Sequence, residues 1–68
     1  MKKVLEIIGM SCEHCERAVK EELSKVSGVS SVVVNLASKQ VEVEGSNLNE
    51  FDLRNAVEEA GYVVESIR

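Results

Sequence analysis

Apolar positions along the chain change period several times, and each change marks an element. Val4-Leu5-Glu6-Ile7-Ile8 reads as a short strand with Leu5 and Ile7 on one face, broken by Gly9-Met10-Ser11. From Glu13 onward Cys15, Ala18, Val19, Leu23 and Val26 recur at helical spacing among Glu, Lys and Arg, and Ser27-Gly28 supplies a stop. Residues 29–36 are rich in valine and predict a strand, which Ala37-Ser38-Lys39 turns. Gln40-Val41-Glu42-Val43-Glu44 alternates strictly, so Val41 and Val43 face a core and the glutamates face water. The two strands make a hairpin that ends at Gly45-Ser46-Asn47. Asn49 is placed to cap a second helix, with Asp52 answering as a weaker capping box and Leu48 and Leu53 as a hydrophobic staple. Leu53, Ala56, Val57 and Ala60 form its apolar stripe, Gly61 stops it, and residues 62–67 predict a last strand.

The order is β-α-β-β-α-β with short connections. Two amphipathic helices and four half-buried strands are buried most economically when both helices lie on one face of an antiparallel sheet. The expected fold class is therefore α+β, a ferredoxin-like sandwich, in a single domain over residues 1–68. A chain of 68 residues buries only ~60% of the surface its unfolded form exposes, which leaves a thin core and no interdomain cleft. Hydrophobic residues at 44% and charged residues at 29% read as globular rather than disordered.

The net charge of −4 argues against nucleic acid and against anionic membrane surfaces, both of which call for a basic patch. The start, Met1-Lys2-Lys3 followed by apolar residues, imitates a signal peptide, but Glu6 interrupts a run already too short for one. No window approaches a membrane span, so no membrane insertion is expected. These readings predict a cytoplasmic protein in a reducing compartment, where paired cysteines are more often metal ligands or redox groups than structural disulfides.

Both cysteines lie in Gly9-Met10-Ser11-Cys12-Glu13-His14-Cys15, at a strand-to-helix junction. The spacing lets two sulfurs face one ion from a loop and a first helical turn. A helix N-terminus favours thiolate over thiol. Thiolates select Cu(I), and also Zn, Cd or Hg, over hard cations. Structural zinc takes four protein ligands, whereas this chain offers two cysteines and one histidine. Cu(I) is content with two thiolates, and an open coordination position suits a carrier that passes its ion by ligand exchange.

Three other readings compete. An inert core pair or a structural disulfide is disfavoured beside Glu13 and His14 at a Gly-flanked junction. A thioredoxin-like dithiol shares the C-x-x-C signature, but such enzymes need a larger domain and a cis-proline, and this chain has no proline. A zinc finger lacks its second ligand pair.

Gly9-Met10-Ser11-Cys12-x-x-Cys15 resembles the G-M-[ST]-C-x-x-C motif of the heavy-metal-associated domain family, which comprises copper chaperones and the N-terminal metal-binding domains of P-type ATPases. The resemblance runs through Gly28-Val29, Val34-Asn35-Leu36 and Gly61-Tyr62. It implies the β-α-β-β-α-β fold, a metal held by Cys12 and Cys15, and transfer by docking onto a partner domain of the same fold. The Cys-Glu-His-Cys filling and the Gly-Tyr pair look like the bacterial copper chaperones. Ser11 stands where zinc-exporter domains usually carry Asp, which favours copper.

The resemblance also colours the neighbouring residues. Met10 is expected to pack inward and tether the metal loop, rather than ligate. His14 is expected to point outward and tune charge and partner contact, because a neighbour of a ligand faces another way on a helix. Tyr62 has two readings: its hydroxyl shields a cysteine sulfur, or it is a half-buried strand aromatic with a wet hydroxyl. Arg17 and Lys20 either offset the charge of a two-thiolate centre or belong to a solvated face. The expectation is a non-enzymatic copper chaperone that takes Cu(I), with Zn, Cd, Hg or Ag as alternative ions. It delivers its ion to the metal-binding domain of a copper-transporting P-type ATPase and is able to form a metal-bridged homodimer. The alternatives are an excised ATPase metal-binding domain and a small dithiol redox protein.

Overall fold

The computed structural model describes residues 1–68 and contains β1 (Lys2–Ile8), α1 (Glu13–Ser24), β2 (Val29–Asn35), β3 (Gln40–Gly45), α2 (Glu50–Glu59) and β4 (Val63–Ile67). The strands form one antiparallel sheet in the order β2-β3-β1-β4. This is the ferredoxin-like arrangement expected from the pattern. Leu5 lies opposite Val41, and Val43 opposite Val32, so the apolar sides of the strands fall on one face. Against it pack Val19 and Leu23 of α1 and Leu53, Ala56 and Val57 of α2, in one apolar cluster without a buried polar side chain.

The ends of the elements differ from expectation where contacts distant in sequence decide them. β1 starts at Lys2 rather than Val4, because Lys2 and Lys3 find ladder partners in Glu44 and Val43. Lys2 Nζ also meets Glu42 at 2.8 Å, and Lys3 Nζ reaches Glu50 of α2 at 3.2 Å. Leu36 falls in the hairpin turn, where the Lys39 N–H donates to its carbonyl at 3.3 Å. α1 stops at Ser24, yet Val26 still packs against the core. Ala18 and Ala60 are only half-buried, at the margins of their stripes.

The cap of α2 forms on one side only. Asn49 Oδ1 accepts from the N–H groups of Phe51 at 2.8 Å and Asp52 at 3.4 Å. The Asp52 carboxylate makes no return bond, having one methylene fewer than the Glu that usually closes the box. Leu48 and Leu53 are both buried, as a staple requires. At the other end, the Gly61 N–H donates to Glu58 O at 2.9 Å and the Tyr62 N–H to Val57 O at 3.1 Å. That pair of bonds is a Schellman motif, and it needs Gly61 at its φ of +98°. The motif sets Tyr62 just ahead of β4, at the end of the sheet where β1 runs out into the cysteine loop.

Candidate metal site

Leaving β1, the chain turns at Gly9 with a φ of +92°. Met10 then drops into the core with no exposed surface, between the apolar sides of sheet and helices. Ser11 is exposed. Cys12 is the N-cap of α1, in extended conformation, and its carbonyl takes the first helical bond from the Glu16 N–H at 3.0 Å. Cys15 is therefore the third residue of the helix. N-cap and third residue are the positions whose side chains converge in a capping box, so C-x-x-C at this register brings both sulfurs over one turn.

The Cys12 and Cys15 sulfurs lie 3.0 Å apart. They are not equivalent: Cys15 is 8% exposed and belongs to the core cluster, whereas Cys12 is exposed. The contact from Cys12 does most to bring the Cys15 thiol down from the usual 9.0 to about 6, aided by the Tyr62 hydroxyl and the Ser11 and Cys12 backbone N–H groups, while burial opposes. Cys15 is thus largely thiolate near neutral pH. Tyr62 holds its own proton above the usual range, chiefly because it faces that sulfur.

The Tyr62 ring lies beside Gly9 in the loop that leads to the cysteines. A Cβ on Gly9 would sit 3.4 Å from the ring's Cδ1, an ordinary contact, so it is the positive φ at this position rather than the ring that calls for glycine. His14 is exposed and bonded to nothing, and Arg17 is likewise at the surface. No third His, Cys, Asp or Glu joins the two sulfurs in a ligand group. A surface hollow of about 260 Å³, lined in part by Glu6, Gly9, Lys39 and Glu65, includes neither cysteine. The pair stands on a ledge rather than in a cleft, open to another macromolecule on the Cys12 side. Sequence reasoning did not separate the exposed sulfur from the buried one, nor find the Ser11 N–H. The cap spacing was the available signal for both.

The heavy-metal-associated domain model matches residues 4–63. The chain belongs to the heavy-metal-associated domain family. Among similar members, the copper chaperone CopZ of Staphylococcus epidermidis is 44% identical over 66 residues, covering 94% of this chain and 97% of that one. A solved CopZ metallochaperone shares 38% identity with a TM-score of 0.88, covering 94% of this chain and 98% of its own. A copper-binding domain from a P-type ATPase superposes with a TM-score of 0.87 at 29% identity, covering 96% and 92%. In this heavy-metal-associated domain no helix is long and apolar enough to cross a membrane.

Proposed function

We propose that this heavy-metal-associated domain is a copper chaperone: it carries Cu(I) between Cys12 and Cys15 and surrenders it to a partner by ligand exchange. The observation that carries the reading is the two-sulfur ledge, with one sulfur anchored in the core, one exposed and no third donor. A metal–thiolate bond is about 2.3 Å, so sulfurs 3.0 Å apart separate to admit an ion between them. Cys12 is the one free to swing. Its exposure also gives an incoming thiolate its line of attack, through a three-coordinate stage from which either protein can leave with the metal.

The recipient in this reading is the metal-binding domain of a copper-transporting P-type ATPase, whose likeness in fold offers a matching ledge. Two copies sharing an ion through their thiolates would give a metal-bridged homodimer. No bond of a substrate is made or broken except to the metal, so the protein is not an enzyme. The setting is cytoplasmic, since a reducing compartment keeps the pair as dithiol. The same sulfur proximity favours one second reading, a small dithiol redox protein. The absence of proline, and so of a cis-proline beside the pair, weighs against it.

The test is titration of reduced protein with Cu(I) against a competing chelator, repeated with Cys12→Ser and Cys15→Ser. The expected result is one ion per chain, lost in both variants. Serine variants that bind as tightly as the parent would overturn the proposal. Competition with Zn, Cd, Hg and Ag ranks the ions. A dithiol couple that turns over a disulfide substrate, with no preference for Cu(I), would establish the redox reading instead.

A further inference from the structure

The two edges of the sheet are finished differently. At the β4 edge, the pairing with β1 shifts register between Glu6 and Ile7, leaving Glu65 out of the ladder. The Arg54 guanidinium, from α2, donates to the Val64 carbonyl at 3.3 Å, and Arg68 is ion-paired with Glu6 at 3.1 Å. Bulge, charge and a side chain on the strand backbone are the usual devices that stop a sheet edge from recruiting another strand. At the β2 edge, an irregularity at Ser30 marks the beginning of the strand, and beyond it there is nothing of the kind. Ser31-Val32-Val33-Val34-Asn35 has no charge, and no side chain donates to its backbone.

We propose that the β2 edge pairs antiparallel with β2 of a second copy, about a two-fold axis at Val33, in a dimer that needs no metal. The occupant is argued from the polarity of the strand, which reads the same in both directions. With the axis at Val33, that residue meets its own equivalent, Val32 meets Val34, and Ser31 meets Asn35. Every pair is then apolar with apolar or polar with polar, the self-complementarity that an isologous contact demands. Charge points to the same edge. Each chain carries −4, so copies repel over most of their surface, and the uncharged strand is where they approach at least cost. Val33, 60% exposed on the face away from the helices, loses water on pairing.

This dimer differs from a metal-bridged one. β2 runs toward the cysteine end, where the Ile7 N–H donates to Lys39 O in the following turn at 3.0 Å. Antiparallel pairing therefore sends the two cysteine ledges to opposite ends, and both stay open. A single strand pair makes a small interface, so the association is weak.

The experiment is sedimentation of metal-free Cys12→Ser/Cys15→Ser protein from roughly 10 μM to 1 mM, the range in which small interfaces associate. The same series is run on Val33→Lys, on Val33→Glu and on their equimolar mixture, with circular dichroism to show each is folded. The expected result is mass rising toward twice the monomer in the parent, monomer in each Val33 variant alone, and dimer restored in the mixture. Those amides of residues 31–35 that face away from β3 should also gain exchange protection with concentration in the parent, a readout that stands even where a Val33 variant fails to fold. A parent that stays monomeric throughout, Val33 variants that associate as the parent does, or a dimer found only with Cu(I) and intact cysteines would each overturn it. Copper binding is measured separately, so failure here leaves the chaperone reading untouched.

Discussion

Replacing Met10 separates anchoring from ligation. The side chain is fully buried, so truncation to Ala removes three heavy atoms from a packed site. At ~0.8 kcal/mol per buried methylene plus the cavity left behind, Met10→Ala costs about 3 kcal/mol, within the usual 2–5. A chain of 68 residues holds only ~3–10 kcal/mol in all, so the loss is a third or more of its stability. With a urea slope of about 1 kcal/mol/M, the unfolding midpoint falls by roughly 3 M. Met10→Leu keeps the volume, loses the sulfur and costs under ~1.5 kcal/mol. If Met10 only roots the loop, Met10→Leu binds Cu(I) in a chelator competition as the parent does, while Met10→Ala is destabilised. A tenfold or greater loss of Cu(I) affinity in a well-folded Met10→Leu would make the thioether a ligand. A cost below about 1 kcal/mol for Met10→Ala would show that the site collapses around the missing atoms.

The depressed Cys15 thiol makes both stability and metal binding depend on pH. Its folded value of about 6 lies below the usual 9.0, so in the metal-free protein its contribution is full above the usual value and vanishes as pH falls through about 6. Denaturation midpoints of parent and Cys15→Ser should therefore converge toward low pH, and apparent Cu(I) affinity should fall more steeply below about pH 6; midpoints that keep a constant separation would refute this. Tyr62→Phe keeps the ring on Gly9 and removes the hydroxyl, so the Cys15 thiol should titrate higher, read as an upward shift in the alkylation–pH profile; an unmoved profile would leave Tyr62 a packing residue. Asn49→Ala removes the α2 cap and should cost about 1 kcal/mol with Cu(I) affinity unchanged, measured by urea denaturation.

How far the sequence carried depends on the range of the interaction. Strict alternation in β3 and the helical recurrence of Val19 and Leu23 put those side chains in the core, because one face must be dry. The Gly61 stop was legible because only a residue tolerant of positive φ closes a helix in that way. Lys2 and Lys3 carry no strand pattern of their own, since their place depends on Glu44 and Val43, some forty residues away. Asp52 at the right offset suggested a box that its short side chain does not close. At the site the motif named both cysteines but gave no sign that they differ. Nor did it show that the ring of Tyr62 lies on Gly9, a contact between the two ends of the chain.

The inequality of the sulfurs links the fold to the proposed work. A carrier faces two opposed demands: its site must hold an ion against water and thiol competitors, yet release it without a large barrier. Were both cysteines buried like Cys15, the partner's thiolate would have to open the core to reach the metal. Were both exposed like Cys12, neither sulfur would have the packed surroundings that hold it in place or the preset donors that keep it ionised. The strand-to-helix junction resolves this by register. The third residue of α1 falls on the helix's inner face, in line with Val19 four residues on, so Cys15 shares the environment of the core. The N-cap lies outside the helix by definition, so Cys12 keeps its backbone bond while its side chain remains in solvent. Moving either cysteine by one residue would place both sulfurs in one environment or turn them apart. On this argument the two-residue gap is set by where a helix begins relative to the core, as much as by the size of the ion.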